Sequence, residues 1–224
     1  MAKHLERDIE ELKKDILTMG SMVEEAVRRA IEALHGRRED VGAQVVGEDD
    51  LIDEREVQVE EECLKILALH QPVAVDLRRT AAVMMITTDL ERMGDLAEDI
   101  AERAIYLARP PYLPIPDKLQ RMTDLTTLMV RQSLDSFVNL DAHQARIVWR
   151  LDDEVDRYQS EIIQDLITVM QESPELVDPG LSLFSATRHL ERIADHATNI
   201  AEDVVYLVEG EIVRHRPAAV QTDD

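Results

Sequence analysis

The sequence contains two copies of one long segment, and this duplication constrains the fold more than any other feature. Residues 88–107 read TDLERMGDLAEDIAERAIYL, and residues 189–207 read HLERIADHATNIAEDVVYL. With a shift of 100 residues, the copies share ten residues, among them a Leu-Glu-Arg triplet and an aspartate four residues after the glutamate. A repeat of this length predicts one helical unit that is built twice.

Apolar residues recur at three- and four-residue spacing through the first half, which is typical of amphipathic helices. The spacing predicts helices over residues 5–34, 39–69 and 73–108, with Gly36 ending the first of them. Residues 110–116 contain four prolines and cannot be helical, so they are predicted to link the two halves.

The second half follows the same plan. Helices are predicted over residues 117–140 and 142–171, and Asp141 is the expected N-cap of the second of these. A loop is predicted at 172–180, where proline and glycine occur together, and a final helix extends from there to residue 209.

Six long helices can bury their apolar stripes only by lying side by side. The predicted fold is therefore all-α, with two tandem antiparallel three-helix bundles related by a pseudo-twofold axis. The predicted domains are residues 1–109 and 117–209, with 110–116 as the linker and 210–224 as a loose tail. The long exposed helices also predict a homodimer.

The charge of the chain limits its partners. With 25 Lys and Arg against 47 Asp and Glu, the net charge is −22, which disfavours nucleic acid and anionic membrane surfaces and favours cations. The single Cys63 cannot form an internal disulfide, and the chain has neither an apolar run long enough to span a bilayer nor a signal segment. These features predict a cytoplasmic protein without membrane insertion.

Pairs of carboxylates four residues apart occur at matching points of the two halves. Residues at this spacing lie one turn apart on the same helix face, so their side chains can meet. Counting 100° per residue from the apolar stripe of the third helix places Glu91, Asp95 and Glu102 on its outward side, with Glu98 in line. The predicted metal-binding pairs are Glu91 and Asp95, Glu191 and Asp195, Asp49 and Asp53, and Asp152 and Asp156.

An all-oxygen ligand set suits Mg, Ca, Mn or iron, and zinc also accepts carboxylates. The plain alternative is a solvated charged face, as on any surface helix. Like charges along one line are unfavourable without a cation, which favours the metal interpretation. Thr198 and Asn199 replace Glu98 and Asp99 in the second copy, so a second site would be less negative. His196 is predicted to pack or hydrogen-bond rather than to bind metal.

Other chemistry has little support in the sequence. A ferritin-like di-iron centre needs two Glu-x-x-His motifs, and only Glu32 and His35 form one. The sequence shows no glycine-rich phosphate loop, and Ser182, Ser185 and the histidines form no recognisable triad. We therefore predict no catalytic site and no enzyme activity.

The doubled LER-x-x-D-x-x-x-x-IAE pattern resembles the PhoU family of bacterial phosphate-signalling regulators. The segment HQPVAVDLR at residues 70–78 is similar to a second motif of that family. The resemblance implies a negative regulator of the phosphate-starvation response that couples the phosphate ABC transporter to a sensor histidine kinase. It also implies partner contacts at Asp76 and Arg78, a motif that the second half lacks.

The family resemblance further implies multinuclear metal clusters of iron or zinc, and the oxygen ligands leave Mg or Mn as alternatives. Carried over to this sequence, the ligands are Asp49, Asp53, Glu91, Asp95, Asp99, Asp152, Asp156, Glu191 and Asp195. A rival hypothesis, based on the same carboxylates, is a helical bundle that stores or buffers metal without signalling.

Overall fold

The computed structural model describes residues 2–210 and is helical through most of that range. Among the described helices, no stretch combines the length and the apolar character that a bilayer-spanning segment needs. A single turn of 3₁₀ helix, Pro174–Leu176, precedes the last helix. The α-helices are α1 (Ala2–Gly36), α2 (Glu39–Glu48), α3 (Asp50–His70), α4 (Ala74–Leu107), α5 (Asp117–Asn139), α6 (Ala142–Glu172) and α7 (Val177–Glu209).

The helices form two three-helix bundles, as the repeat predicts. The first contains α1, α4 and the broken helix α2–α3, and the second contains α5, α6 and α7. The two copies of the repeated segment, α4 and α7, pack against each other between the bundles. The apolar stripe predicted for α4 is fully buried, and it consists of Ile86, Leu90, Met93, Ala97, Ile100 and Ala104.

Contacts between α4 and α7 show the pseudo-twofold relation directly. Asn199 donates to buried Asp89 at 3.2 Å, and the Nδ1 atom of His189 lies 3.6 Å from a carboxylate oxygen of Asp99. Asn199 and Asp89 occupy the repeat positions of Asp99 and His189, respectively. A twofold axis between α4 and α7 therefore relates the two contacts. His196 also contacts Asp89, at 2.8 Å, which confirms the hydrogen-bonding role predicted for this histidine.

The second predicted helix is broken at Asp49, so the described chain has seven α-helices rather than six. The carbonyl of Asp49 accepts from Ile52 at 2.8 Å, the i+3 spacing of a tight turn. Gly47, a poor helix former, lies two residues before the break. Asp49 keeps helical φ and ψ angles of −61° and −42°, and its carbonyl also accepts from Asp53 at 3.4 Å, so α2 continues into α3 through a local irregularity at Asp49.

The predicted loop at 172–180 is wrong for most of its length, because α7 already begins at Val177. Pro179 lies in the first turn of α7, where an N–H group has no partner within the helix and its absence costs nothing. Gly180 is buried against Met170, since an added Cβ would lie 2.7 Å from Met170 Cγ. Proline and glycine here start and pack a helix instead of ending one.

Two smaller expectations concern helix ends. Asp141 caps α6 as predicted, because its Oδ1 accepts from the backbone N–H groups of His143 at 2.9 Å and Gln144 at 3.0 Å. The tail predicted at 210–224 lies outside the described residues, apart from Gly210. Gly210 has a φ of 80° and ends α7 in the left-handed conformation that glycine favours.

Two glycines of α2 make a matched test of how closely this helix approaches α4. A Cβ at Gly42 would lie 2.9 Å from Ile105 Cγ1 and 3.1 Å from the carbonyl oxygen of Ala101, whereas nothing lies within 4 Å of one at Gly47. Gly42→Ala should therefore lower the free energy of unfolding by about 1–3 kcal/mol through overpacking. Gly47→Ala should raise it by up to about 1 kcal/mol through helix propensity. Urea unfolding of both variants measures this difference, and equal effects would contradict the close packing.

Candidate metal centre

The centre lies where the α2–α3 break meets the middle of α4. Asp49 occupies the break, Asp53 follows one turn later on α3, and Asp95 faces them from α4. Each offers a carboxylate oxygen, and the three oxygens all lie within 4.8 Å of one another. Asp49 and Asp95 are half-buried and Asp53 is exposed, so the group lies at the edge of the helix interface. Both members of the predicted pair Asp49 and Asp53 thus meet one member, Asp95, of the predicted pair on α4.

Gly94 allows this approach. A Cβ on Gly94 would lie 3.1 Å from Ile52 Cδ1 and 3.5 Å from Asp49 Oδ1. The missing side chain therefore lets α3 pack closely on α4 and brings Asp49 beside Asp95.

Glu91 corrects the expectation that the whole stripe faces outward. Its side chain is only 15% exposed. The Oε2 atom of Glu91 is buried without a hydrogen-bond partner, although Arg92 Nε lies 3.3 Å away as a charge contact. Because α1, α2–α3 and α7 cover α4 on three sides, the carboxylate stripe borders α3 instead of open solvent. Glu102, one turn beyond Glu98, is exposed as predicted.

Burial and mutual repulsion change how these carboxylates titrate. Burial, then the charges of Glu98, Asp53 and Asp95, raises the pKa of Asp49 to about 6. Burial, then the charges of Asp95 and Glu56, raises the pKa of Glu91 to about 7. The pKa of Glu98 is also raised, by burial and by neighbouring carboxylates. Near neutral pH the cluster therefore favours binding a proton or a cation over remaining fully charged.

The second half holds a related set of carboxylates on α6 and α7. Burial, then the charges of Asp195 and Asp156, raises the pKa of Asp152 to about 7. Burial and neighbouring carboxylates also raise the pKa values of Glu191 and Asp195. Within residues 2–210, only the first-half aspartates form a group of three with oxygens as close as 4.8 Å. The two halves therefore hold similar carboxylates at different spacing.

Two residues depart from the predicted ligand set. Asp99 is not brought to the first cluster, because its carboxylate lies 3.6 Å from His189 on α7. Glu56 on α3 was not predicted, yet its charge contributes to the raised pKa of Glu91. Asp49, Asp53 and Glu56 follow the i, i+4, i+7 spacing of one helix face, and this pattern was the available signal.

The chemistry of this cluster fits a hard or borderline cation. Carboxylates are its only ligand type, and a buried oxygen of the neighbouring Glu91 has no hydrogen-bond partner. Arg92 contacts both Glu91, at 3.3 Å, and Asp95, at 3.2 Å. In the absence of metal, this guanidinium is the positive charge closest to the pair, and a bound cation would compete with it.

Comparison with known proteins identifies the family. The PhoU domain model matches residues 16–104 and again residues 119–204. The chain belongs to the PhoU family. A PhoU homologue of Aquifex aeolicus is 41% identical over 94% of this chain and 95% of its own length, and one of Pseudomonas aeruginosa is 38% identical over 96% and 89%. Both are named phosphate-specific transport system accessory proteins.

Solved PhoU structures share the fold. The crystal structure of PhoU from Pseudomonas aeruginosa matches with a TM-score of 0.89 and 38% identity, covering 92% of this chain and 99% of that one. The phosphate transport system regulatory protein PhoU from Streptococcus pneumoniae matches with a TM-score of 0.88 and 30% identity, covering 93% and 99%. The two-bundle fold predicted from the repeat and the PhoU resemblance of its motifs are therefore both confirmed.

In this PhoU fold, the predicted partner residues Asp76 and Arg78 lie in the first turn and a half of α4. Asp76 is half-exposed and 3.7 Å from Arg79. The Arg78 guanidinium lies 6.0 Å from the centre of the Tyr206 ring, next to Gly210 at the end of α7. Both residues are thus at one end of the molecule, far along α4 from the carboxylates.

Three polar side chains of this PhoU-family chain form a row that the sequence did not reveal. The Ser185 hydroxyl lies 3.0 Å from His189 Nε2, and His189 Nδ1 lies 3.6 Å from Asp99. The second distance is too long for a hydrogen bond. Ser185 is also inside a continuous helix, where backbone N–H groups bond to carbonyls four residues earlier and cannot serve an oxyanion. The row gives no support to nucleophilic catalysis.

Proposed function

We propose that this chain is an accessory regulator of phosphate-specific transport. In detail, it is a negative regulator of the phosphate-starvation response that couples the phosphate ABC transporter to a sensor histidine kinase and modulates phosphate uptake. One observation carries the proposal. Relatives whose alignments cover nearly all of this chain and most of their own length are named as accessory proteins of that transport system. The role is exerted through protein contacts in the cytoplasm, without catalysis, by a homodimer.

We propose further that both carboxylate sets hold metal, as multinuclear clusters of iron or zinc, with Mg or Mn as alternatives. In the first half Asp49, Asp53 and Asp95 would bind directly, and Glu91 and Glu98 would complete the set. In the second half the ligands are Asp152, Asp156, Glu191 and Asp195. A bound cation would offset the negative charge that these neighbouring carboxylates share.

The residues themselves define what such a cation would do. Asp49 lies between α2 and α3, Asp53 lies on α3 and Asp95 lies on α4, so a shared cation would tie α2–α3 to the central helix. Without it, like charges on the two elements repel each other. The packing of α2–α3 on α4 then depends on metal, which gives the first bundle a metal-sensitive shape. This coupling supports a regulatory use of the cluster.

Metal storage without signalling is the second candidate, because carboxylate sets occur in both halves. Storage predicts that the phosphate response does not depend on the chain. Regulation predicts that it does, whatever the metal content.

Gene deletion tests the regulatory proposal. Deletion should release phosphate-starvation genes from repression in high-phosphate medium, as measured with a transcriptional reporter and by phosphate uptake. The wild-type gene on a plasmid should restore repression. Continued repression in the deletion strain would show that the regulatory proposal is wrong. A variant that has lost its metal but still restores repression would separate metal binding from signalling.

A further inference from the structure

The turn between α3 and α4 exposes an unusual group of aliphatic side chains. Val73 is 75% exposed and Leu69 is 67% exposed, more than any other large hydrophobic residue among those described. Val75 and Leu77 are about half exposed. Single exposed aliphatics are ordinary, but several within nine residues form a patch of the kind that marks interaction sites. We refer to residues 69–79 as the 69–79 turn.

The backbone holds this turn in a specific conformation. Gln71 has a φ of 46° and Ala74 a φ of 49°, both in the left-handed region that residues with a Cβ seldom adopt. Neither residue is glycine, so each position carries a conformational cost. The aliphatic side chains are thus presented by a defined structure.

The charge around the turn is opposite to that of the chain. Within the 69–79 turn, two arginines, Arg78 and Arg79, outnumber the one anion, Asp76, which lies 3.7 Å from Arg79. Lys65 on α3 is already paired with Glu62 at 2.8 Å and adds no free charge. The chain as a whole has a net charge of −22. On the adjacent α1, the Asp8 carboxylate is already paired with His70 at 2.8 Å. The surface of the turn is therefore apolar with a cationic rim.

The equivalent segment of the second half has no cation and exposes its aliphatic side chains less, although Ile167 is 37% exposed and Leu181, directly after it, is 54% exposed. Residues 164–180 contain no lysine, arginine or histidine, and their four charged residues are all acidic: Asp165, Glu172, Glu175 and Asp178. Leu176 and Val177 are half-buried there, and Leu176 packs against the core. Duplication therefore does not account for the exposed aliphatics and cations of the 69–79 turn.

An apolar groove continues from the turn between the two bundles. It has a volume of about 130 Å³, which suits one aliphatic or aromatic side chain. Arg79 belongs to both the turn and the groove, and the polar residues Lys13, Glu10 and Thr80 also line it. Its apolar lining comes from Ile9, Leu12, Val83, Phe137, Leu140 and Leu207.

We propose that the 69–79 turn and this groove form a docking site for a protein segment with an apolar anchor residue flanked by carboxylates. The anchor enters the groove, the exposed aliphatics pack beside it, and the carboxylates meet Lys13 and Arg79. Buried anchors in pockets supply most of the binding energy of an interface, and complementary charge supplies orientation and specificity. The inference rests on the proposed function, in which the partner belongs to the phosphate transport system.

The probe for a binding test is the phosphate ABC transporter of the same organism, in nanodiscs of uncharged lipid. Leu69→Ser with Val73→Ser should weaken binding of the full chain at least about tenfold, because the apolar contact is lost. Arg79→Glu should weaken it as well and reduce its dependence on salt. The matched controls are Leu181→Ser, a leucine in α7 that is 54% exposed, and Arg121→Glu, an exposed arginine in α5. Both controls should bind like wild type.

The outcomes separate the docking site from the proposed function. If wild type binds the transporter and the turn variants bind equally well, the docking site is wrong and the function stands. If wild type does not bind, the docking site is wrong, and the gene-deletion reporter decides the function separately. Sedimentation and vesicle binding test two other occupants of the docking site, a second copy of the chain and a membrane surface. Self-association, or binding to anionic vesicles, that is lost with Leu69→Ser and Val73→Ser would overturn a protein partner in favour of a second copy or a membrane.

Discussion

Protein in which Asp49 and Asp95 are both changed to asparagine should lose the metal of the first cluster. The two carboxylates face each other from the α2–α3 break and from α4, and their oxygens lie within 4.8 Å together with that of Asp53. An asparagine keeps the shape but removes the charge that holds a cation. Loss of an outer contact to a metal ligand costs about 10–100-fold in affinity, so the loss of two ligands should exceed that. Elemental analysis of protein purified without added metal measures the result.

The control for this experiment also distinguishes the ligands that the structure brings together from those that only the sequence pattern predicts. Asp99 lies on the same helix and was predicted as a ligand, but in the structure it faces His189. Asp99→Asn should therefore retain the metal content of wild type, as should Glu102→Gln. If Asp99→Asn loses as much metal as the double variant, the site defined by Asp49, Asp53 and Asp95 is wrong.

Folding failure would not explain loss of metal in the double variant. The substitutions remove like charges that repel one another, and burial already raises the pKa of Asp49 to about 6. Without metal, the double variant should thus unfold at a higher temperature than metal-free wild type at pH 8. A thermal scan of both proteins after chelation tests this directly.

The sequence predicted the architecture because the repeat carries the central helices. Leu90 and Leu190, or Ile100 and Ile200, occupy equivalent buried positions, so one pattern describes both bundles. Local signals were less reliable. Proline and glycine at 179 and 180 suggested a loop, but a proline in the first helical turn and a glycine against Met170 suit a helix start.

The site was predictable only in part, because a helix wheel gives direction within one helix and no information about its neighbours. Counting from the core stripe of α4 placed Glu91 outward, yet α3 covers that side and leaves it 15% exposed. The same counting could not show that Asp99 points to α7, or that Gly94 lets Asp49 approach. These features depend on how α3 and α7 pack on α4, and the residues of α4 alone do not reveal that packing.

The stability of the metal-free protein should fall as the pH rises from 5 to 8. An acid whose pKa is raised by folding binds its proton more tightly in the folded state, so its stabilising effect is complete below the unfolded pKa and is lost as the pH passes the folded value. Those folded values are about 6 for Asp49 and about 7 for Glu91 and Asp152. The acids with raised pKa are Asp49, Glu56, Glu91, Glu98, Asp152, Asp156, Glu191 and Asp195.

Other groups act in the opposite direction or outside this range. Burial lowers the pKa of His35 and of His189, and their contribution is lost as the pH falls below the unfolded value of histidine. Two histidines oppose eight acids, so the net slope follows the acids. Asp40, whose pKa the Arg38 guanidinium lowers to about 2, loses its contribution only below about pH 4.

A bound cation should reverse this trend, because it competes with protons for the same oxygens. Calorimetry of chelated wild type should show a melting temperature that falls between pH 5 and pH 8, and added metal should raise it most at pH 8. A variant with Asp49→Asn, Glu91→Gln and Asp152→Asn retains both histidines and should show a flatter profile. A melting temperature of chelated wild type that climbs steadily over this range would mean that the carboxylates are fully charged and tolerated, and that no cation is needed to hold α3 on α4.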